Sequence, residues 1–255
     1  MSDEFDQLVD VLHKLRGKCP WDRAQTADSI KPYLIEETYE VIEAIDSKEA
    51  GSLKEELGDL LIQILFHAEI AKENGDFGIH DVLSATREKL IRRHPHVYAG
   101  DRVALTKESV LSRWEEIKKE EQPEKSRFAG VPKALPALLK AWRVQEKVKR
   151  VGFDWDKTED VVKKVREEWE ELAQAIHTED SASIAHELGD LFFSLVNLTR
   201  HLKHNPEEVL QVAVKRFTSR FDKMETLSEQ EGNPLKGLSL SEMDRLWEQV
   251  KQEER

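Results

Sequence analysis

Four acids at helical spacing are the residues of this chain best suited to chemistry. Glu168 and Glu171 stand three apart, and so do Glu187 and Asp190. On an α-helix, residues three apart share a face, about one turn from each other. A short polar break from His177 to Ser181 lets the two carrying helices fold back antiparallel, so the four carboxylates converge. Like charges gathered at one point repel and call for a cation. Hard oxygen ligands without cysteine suit Mg²⁺ or Mn²⁺.

The pattern occurs twice. Glu37, Glu40, Glu56 and Asp59 match the four acids one by one at an offset of 131 residues. Solvated surface acids have no reason to repeat in register across an internal duplication. Both sets are therefore candidate metal ligands.

Carboxylates on two adjacent helices, followed by a basic helix, suit a metal–phosphate ligand. A bound metal acts as a Lewis acid on a phosphoryl oxygen and lowers the pKa of its water. Arginine and lysine stabilise charge on a departing phosphate. A spare carboxylate, Glu167 or Glu170, would orient or deprotonate the attacking water. There is no GxxxxGK[ST] loop, no GxSxG elbow and no Glu-x-x-His pair of the di-iron kind. The parts present are those of metal-assisted hydrolysis without a covalent intermediate.

The bulk properties narrow the field further. The 255 residues carry a net charge of −12, which argues against general nucleic-acid binding. An acidic protein still accepts a phosphorylated small molecule when metal bridges the two. Cys19 is the single cysteine, so no disulfide framework is expected and a reducing cytoplasm fits. The N-terminal segment is acidic and amphipathic, unlike a signal peptide, and no apolar run reaches membrane-spanning length.

The elements that must position these residues are helices throughout. Apolar spacing predicts helices over 3–16, 28–46, about 52–73, 78–93 and 106–121. Gly17 is expected to end the first, and Cys19-Pro-Trp-Asp22 to form a loop. Ser52 with Glu55 reads as a capping box. The helix to residue 73 is apolar around much of its girth and reads as buried and central, with Gly58 admitting a close neighbour. Pro123, Gly130, Pro132 and Pro136 mark a linker. The plan then repeats over 137–150, from Thr158, and over 181–203, 207–226 and 240–253. Lys89 and Arg93 recur as Arg216 and Arg220, and Trp114 and Lys118 as Trp247 and Lys251, at offsets of 127 and 133. The expectation is an all-α protein of two tandem helical-bundle domains, 1–120 and 137–255, joined by a linker over 121–136.

The full set of motifs is specific. Cys19-Pro-Trp-Asp22, Glu36-Glu37-Thr-Tyr-Glu40, Glu56-Leu-Gly-Asp59, Arg92-Arg-His-Pro-His96 and Gly152-Phe-Asp-Trp155 resemble the MazG-type nucleoside triphosphate pyrophosphohydrolases, members of the all-α NTP pyrophosphatase superfamily, over almost the whole chain. The resemblance implies Mg²⁺-dependent cleavage of nucleoside triphosphates between the α- and β-phosphates, nucleotide-pool housekeeping, and a homodimer or higher oligomer. It implies that Glu168, Glu171, Glu187 and Asp190 hold metal, with Glu167 and Lys164 against the nucleotide. Arg216 and Arg220 would hold phosphates, and Trp247 and Lys251 would close the site. It also makes the C-terminal half the main catalytic one. The alternatives are a narrower dUTPase-like enzyme and a non-catalytic helical scaffold that binds nucleotide or a partner.

Overall fold

The computed structural model describes residues 2–99, 106–121 and 126–254. Among these residues there is no strand. They divide into two compact units, Met1–Pro123 and Glu124–Arg255. Pro123 of the expected linker lies outside the described residues, and Glu121 belongs to a helix.

The first unit holds α1 (Ser2–Lys18), α2 (Pro20–Ala24), α3 (Ala27–Ser47), α4 (Ala50–Glu73), α5 (Ile79–Arg93), α6 (Pro95–Tyr98) and α7 (Lys107–Glu121). Gly17 does not end α1. The helix runs on to Lys18 and stops because Pro20 forces Cys19 into extended backbone. The segment expected as a loop then winds into α2, with Pro20 at its first position, where a missing N–H costs nothing. The core gathers Leu12 of α1, Ile30 of α3, Leu65, Phe66, Ala68 and Ile70 of α4, and Ile79 of α5.

The second unit holds α8 (Ala137–Lys149), α9 (Thr158–Thr178), α10 (Ser181–His201), α11 (Pro206–Gln230), a 3₁₀ turn over Leu235–Gly237, and α12 (Leu240–Glu253). Four of its buried residues fall in register with buried residues of the first. Val161, Leu172, Ala175 and Val196 answer Ile30, Val41, Ala44 and Leu65, each at the offset of the acids. The duplication therefore covers the packing as well as the charged motif.

The two helical hairpins close tightly. Only Lys48 and Glu49 separate α3 from α4, and only Glu179 and Asp180 separate α9 from α10. Lys48 (φ 59°) and Glu179 (φ 56°) adopt the same left-handed conformation at matching positions. The break expected from His177 to Ser181 is thus shorter, because α9 continues through Thr178. Asp180 caps α10 by accepting from the backbone N–H groups of Ala182 and Ser183. The capping box expected at Ser52 does not form. The helix begins earlier, at Ala50, and the Ser52 hydroxyl donates to Glu49 instead.

α4 is buried only toward its C-terminal end. Leu57 is 50% exposed and Ile64 44% exposed, while Leu61 and Ile62 are partly buried against the core. Gly58 likewise admits no close neighbour, since a Cβ there would meet open space, as it would at the matching Gly189.

α5 and α7 are held by charge. Arg92 and Arg93 both donate to the Glu121 carboxylate, Arg92 at 2.6 Å and Arg93 at 2.5 and 3.1 Å. These two guanidinium groups, Arg93 first, pull Glu121 down to about 2. A depressed folded pKa makes the contribution complete above the unfolded carboxylate value of about 4.3 and lost as pH falls through 2. The melting temperature of wild type is therefore expected to exceed that of Glu121→Gln above about pH 5. The gap should vanish toward pH 2; a constant gap would refute the charge pairing.

Candidate functional site

In the second unit α9 and α10 lie antiparallel and bring their acids together. Glu168, Glu187 and Asp190 place carboxylate oxygens within 4.8 Å of one another, and so do Glu167, Glu168 and Glu171. Glu168 belongs to both groups and is 6% exposed. In the first unit Glu37, Glu40 and Glu56 meet the same condition. Asp59 falls outside that trio but is close enough to raise the pKa of Glu37 and Glu56.

The electrostatics are those of crowded anions. Desolvation first, and then Glu168, push Glu171 above the usual carboxylate range against the opposing pull of Lys164, with Glu187 adding to the rise. Desolvation, then Glu40 and Asp59, do the same to Glu37. A proton or a cation relieves each cluster. In the second unit a lysine already does so in part. Lys164 Nζ stands 2.5 Å from Glu167 and 2.8 Å from Glu168, and these bonds hold it above the ordinary lysine range. The matching residue in the first unit is Tyr33.

A cavity of about 300 Å³ opens beside the second cluster. Lys164, Glu168 and Asp190 line it together with Phe153, Trp155, Val144, Val148, Val161 and Phe193, and with the polar Gln145, Asn197 and Arg200. Carboxylates and a cation thus meet an aromatic and aliphatic wall, which suits a ligand with a charged end and a flat apolar end. Phe153 and Trp155 are held there by Asp154. Arg200 donates to it at 3.0 Å and through a second, shorter bond, and His201 Nε2 lies 3.0 Å away. The depression beside the first-unit acids is lined by Glu40, Glu43, Ala44, Ser47, Glu49, Ser52 and Glu56, with no aromatic and no cation.

Lys164 lines the cavity as expected around a ligand, whereas four other basic and aromatic residues of the expected site do not. Arg220 on α11 donates to Glu254 at 2.7 Å, Lys251 on α12 stands 2.5 Å from Glu248, and Trp247 packs on Phe217 with ring centroids 5.1 Å apart. Arg216 is exposed one turn before Arg220. None of these four residues lines the cavity. Conversely, reading the motif overlooked Gln145, Asn197 and Arg200. A signal was present. At the offset of the acids, Asn197 and Arg200 stand where the first half carries Phe66 and Glu69, so a polar wall replaces a core residue. Phe66 is buried in the first unit's core.

Tandem all-α hairpins with facing acids define the class, and the comparisons agree. The MazG nucleotide pyrophosphohydrolase domain profile matches residues 25–98 and 157–224. A Thermotoga maritima protein named nucleoside triphosphate pyrophosphohydrolase/pyrophosphatase MazG is 47% identical over 251 residues, 97% of this chain and 95% of its own. The Escherichia coli K12 nucleoside triphosphate pyrophosphohydrolase is 42% identical over 262 residues, 99% of this chain and 98% of its own. The solved structure of a MazG-related protein from Thermotoga maritima is 25% identical, covers 45% of this chain and 98% of that one, and has a TM-score of 0.41. The chain belongs to the MazG nucleotide pyrophosphohydrolase family. Among the described residues no helix is long and apolar enough to cross a membrane.

Proposed function

We propose that the chain is a nucleoside triphosphate pyrophosphohydrolase that cleaves NTPs and dNTPs at the α–β bond, releasing nucleoside monophosphate and pyrophosphate in nucleotide-pool housekeeping. The observation that carries this reading is the second-unit cavity, where an aromatic wall adjoins Glu168, Asp190 and Lys164. The names of the full-length relatives support it. The cavity also favours the C-terminal half as the working one, since Asn197 on its wall is matched in the first unit by Phe66, which is packed into the core.

The donor set fits Mg²⁺ or Mn²⁺. It is all carboxylate oxygen, closely spaced, with raised carboxyl pKa values that a cation would relieve. Glu168, Glu171, Glu187 and Asp190 would hold the metal, which when bound supplies Lewis-acid neutralisation of the phosphates and a more acidic water. Lys164 would turn from Glu167 and Glu168 toward the phosphates. Glu167, so released, would take the proton of the attacking water. Arg216 and Arg220 would meet the leaving pyrophosphate, which would have to displace Glu254 from Arg220. Trp247 and Lys251 would close over the bound nucleotide.

A homodimer or higher homo-oligomer is part of this reading. Trp169, Phe192, Val212 and Phe217 are all more than half exposed, and Gly58 and Gly189 interrupt helix interiors with nothing near them. A second copy would cover such faces.

The test is product analysis. Purified protein with Mg²⁺ and each NTP and dNTP should yield monophosphate and pyrophosphate. Chelation with EDTA should abolish turnover and Mn²⁺ should restore it. The same sample should sediment as a dimer or larger. Diphosphate with phosphate would overturn the α–β assignment, activity on a single base would mark the narrower dUTPase-like enzyme, and nucleotide binding without turnover would mark a scaffold.

A further inference from the structure

We infer that Gln145 reads the base of the substrate, its side-chain carbonyl accepting a hydrogen bond from a base N–H in the second-unit cavity; the inference rests on the proposed activity. Gln145 is 4% exposed, on α8, and lines the cavity that Glu168 also lines. Its Nε2 donates to the backbone carbonyl of Phe193 at 2.8 Å, while its Oε1 is buried and has no partner. The opposite amide orientation would set two carbonyl oxygens 2.8 Å apart, so the acceptor is the free end.

A buried acceptor without a donor is costly, and a structural explanation for it is lacking. Phe193 lies inside α10, where the helix already supplies a donor to its carbonyl. The bond to Gln145 therefore fixes the glutamine rather than rescuing the carbonyl. Packing does not demand a polar residue either. The helix in the same place of the first unit, α1 ahead of the Cys19–Trp21 segment as α8 is ahead of Phe153–Trp155, buries the apolar Leu12 in the core instead. The polar residue appears in the unit with the cavity and an apolar one in the unit where Phe66 is packed into the core.

The surroundings suit a nucleobase. Phe153 and Trp155 offer flat apolar surface. Asn197, on the same lining, accepts from Arg200 through its Oδ1 at 2.6 and 3.1 Å, so its Nδ2 is the half of the amide that Arg200 does not use. An acceptor from Gln145 and a donor from Asn197 complement the donor–acceptor edge that every common base presents.

The experiment compares substrates that differ by one hydrogen-bond donor group on the base, using the full chain with Mg²⁺. The pairs are ATP with purine riboside triphosphate, GTP with ITP, CTP with 2-pyrimidinone riboside triphosphate, and UTP with N3-methyluridine triphosphate. For wild type, kcat/KM in at least one pair should favour the donor-bearing member by roughly tenfold or more. In Gln145→Met that gap should shrink to about threefold or less. An active wild type with no gap in any pair overturns the base-reading role alone, and needs no variant to show it. A gap that persists in Gln145→Met, with both members falling together, makes the residue structural and also overturns it. A wild type that releases no monophosphate and pyrophosphate from any triphosphate overturns the activity reading and this inference with it.

Discussion

Replacing Glu168 with glutamine is expected to lower triphosphate turnover by about 10²–10³-fold, the range seen when one preorganised electrostatic contact is lost. The reason is its position. Glu168 is the one acid common to both second-unit carboxylate groups, and at 6% exposure water cannot take its place. It also holds Lys164 at 2.8 Å, so the substitution disturbs the cation as well as the metal ligands. Glu37→Gln, the same change at the matching position, should cost far less, under about tenfold. Glu37 is only partly buried, has Tyr33 where Glu168 has Lys164, and lies in a unit whose depression offers no aromatic wall. Steady-state kinetics of both variants under saturating Mg²⁺ decide the matter. Equal losses would mean two working sites, and a larger loss in Glu37→Gln would overturn the assignment to the C-terminal half.

The parts of the site legible in the sequence were those fixed by local geometry. Helical spacing alone puts Glu168 beside Glu171 and Glu187 beside Asp190, whatever else the chain does. The repeat then supplied the hairpin, because the same acids recur around the same kind of break. What stayed hidden depended on tertiary placement. Nothing in the local pattern of α8 marks Gln145 as facing a cavity, since a buried glutamine and an exposed one look alike in sequence. The helix that carries Leu57 and Ile64 reads as buried for the converse reason, although both residues are exposed. Periodicity reports that a face is apolar, not what covers it. The hairpin ends were misplaced by one or two residues because a left-handed Lys48 or Glu179 carries no compositional signal, unlike a glycine. The resemblance implies a place at the ligand for Arg220, Trp247 and Lys251, and in this chain Arg220 pairs with Glu254, Trp247 packs on Phe217 and Lys251 lies beside Glu248.

The largest stability effect is expected at Asp154, which ties the Phe153–Trp155 wall to α10. Burial alone would push its pKa up, but Arg200 and His201 together hold it below the usual carboxylate range. Its contribution is therefore present above the unfolded value of about 3.9 and is lost as pH falls through the lower folded value. The Arg200 side chain is 3% exposed and that of Asp154 14%, so this is an ion pair largely withdrawn from water. Removing one member of such a pair leaves the other charge without its partner, typically a loss of 3–5 kcal/mol. Glu146, 3.6 Å from Arg200, offsets part of that cost, which places Asp154→Asn near the lower end, about 3 kcal/mol. Removing both charges should cost less than the sum of the single changes, because no uncompensated ion remains. Urea denaturation of Asp154→Asn, Arg200→Met and the double variant measures this directly. Additive losses, or single losses under about 1 kcal/mol, would show that the pair is no more than a surface contact. The functional consequence follows from the same tether. With Asp154 gone the aromatic wall is no longer anchored to the helix that carries Glu187 and Asp190, so KM for the triphosphate should rise even at temperatures where the variant stays folded. A variant that is destabilised but keeps its KM would separate the tether's role in folding from any role in shaping the site.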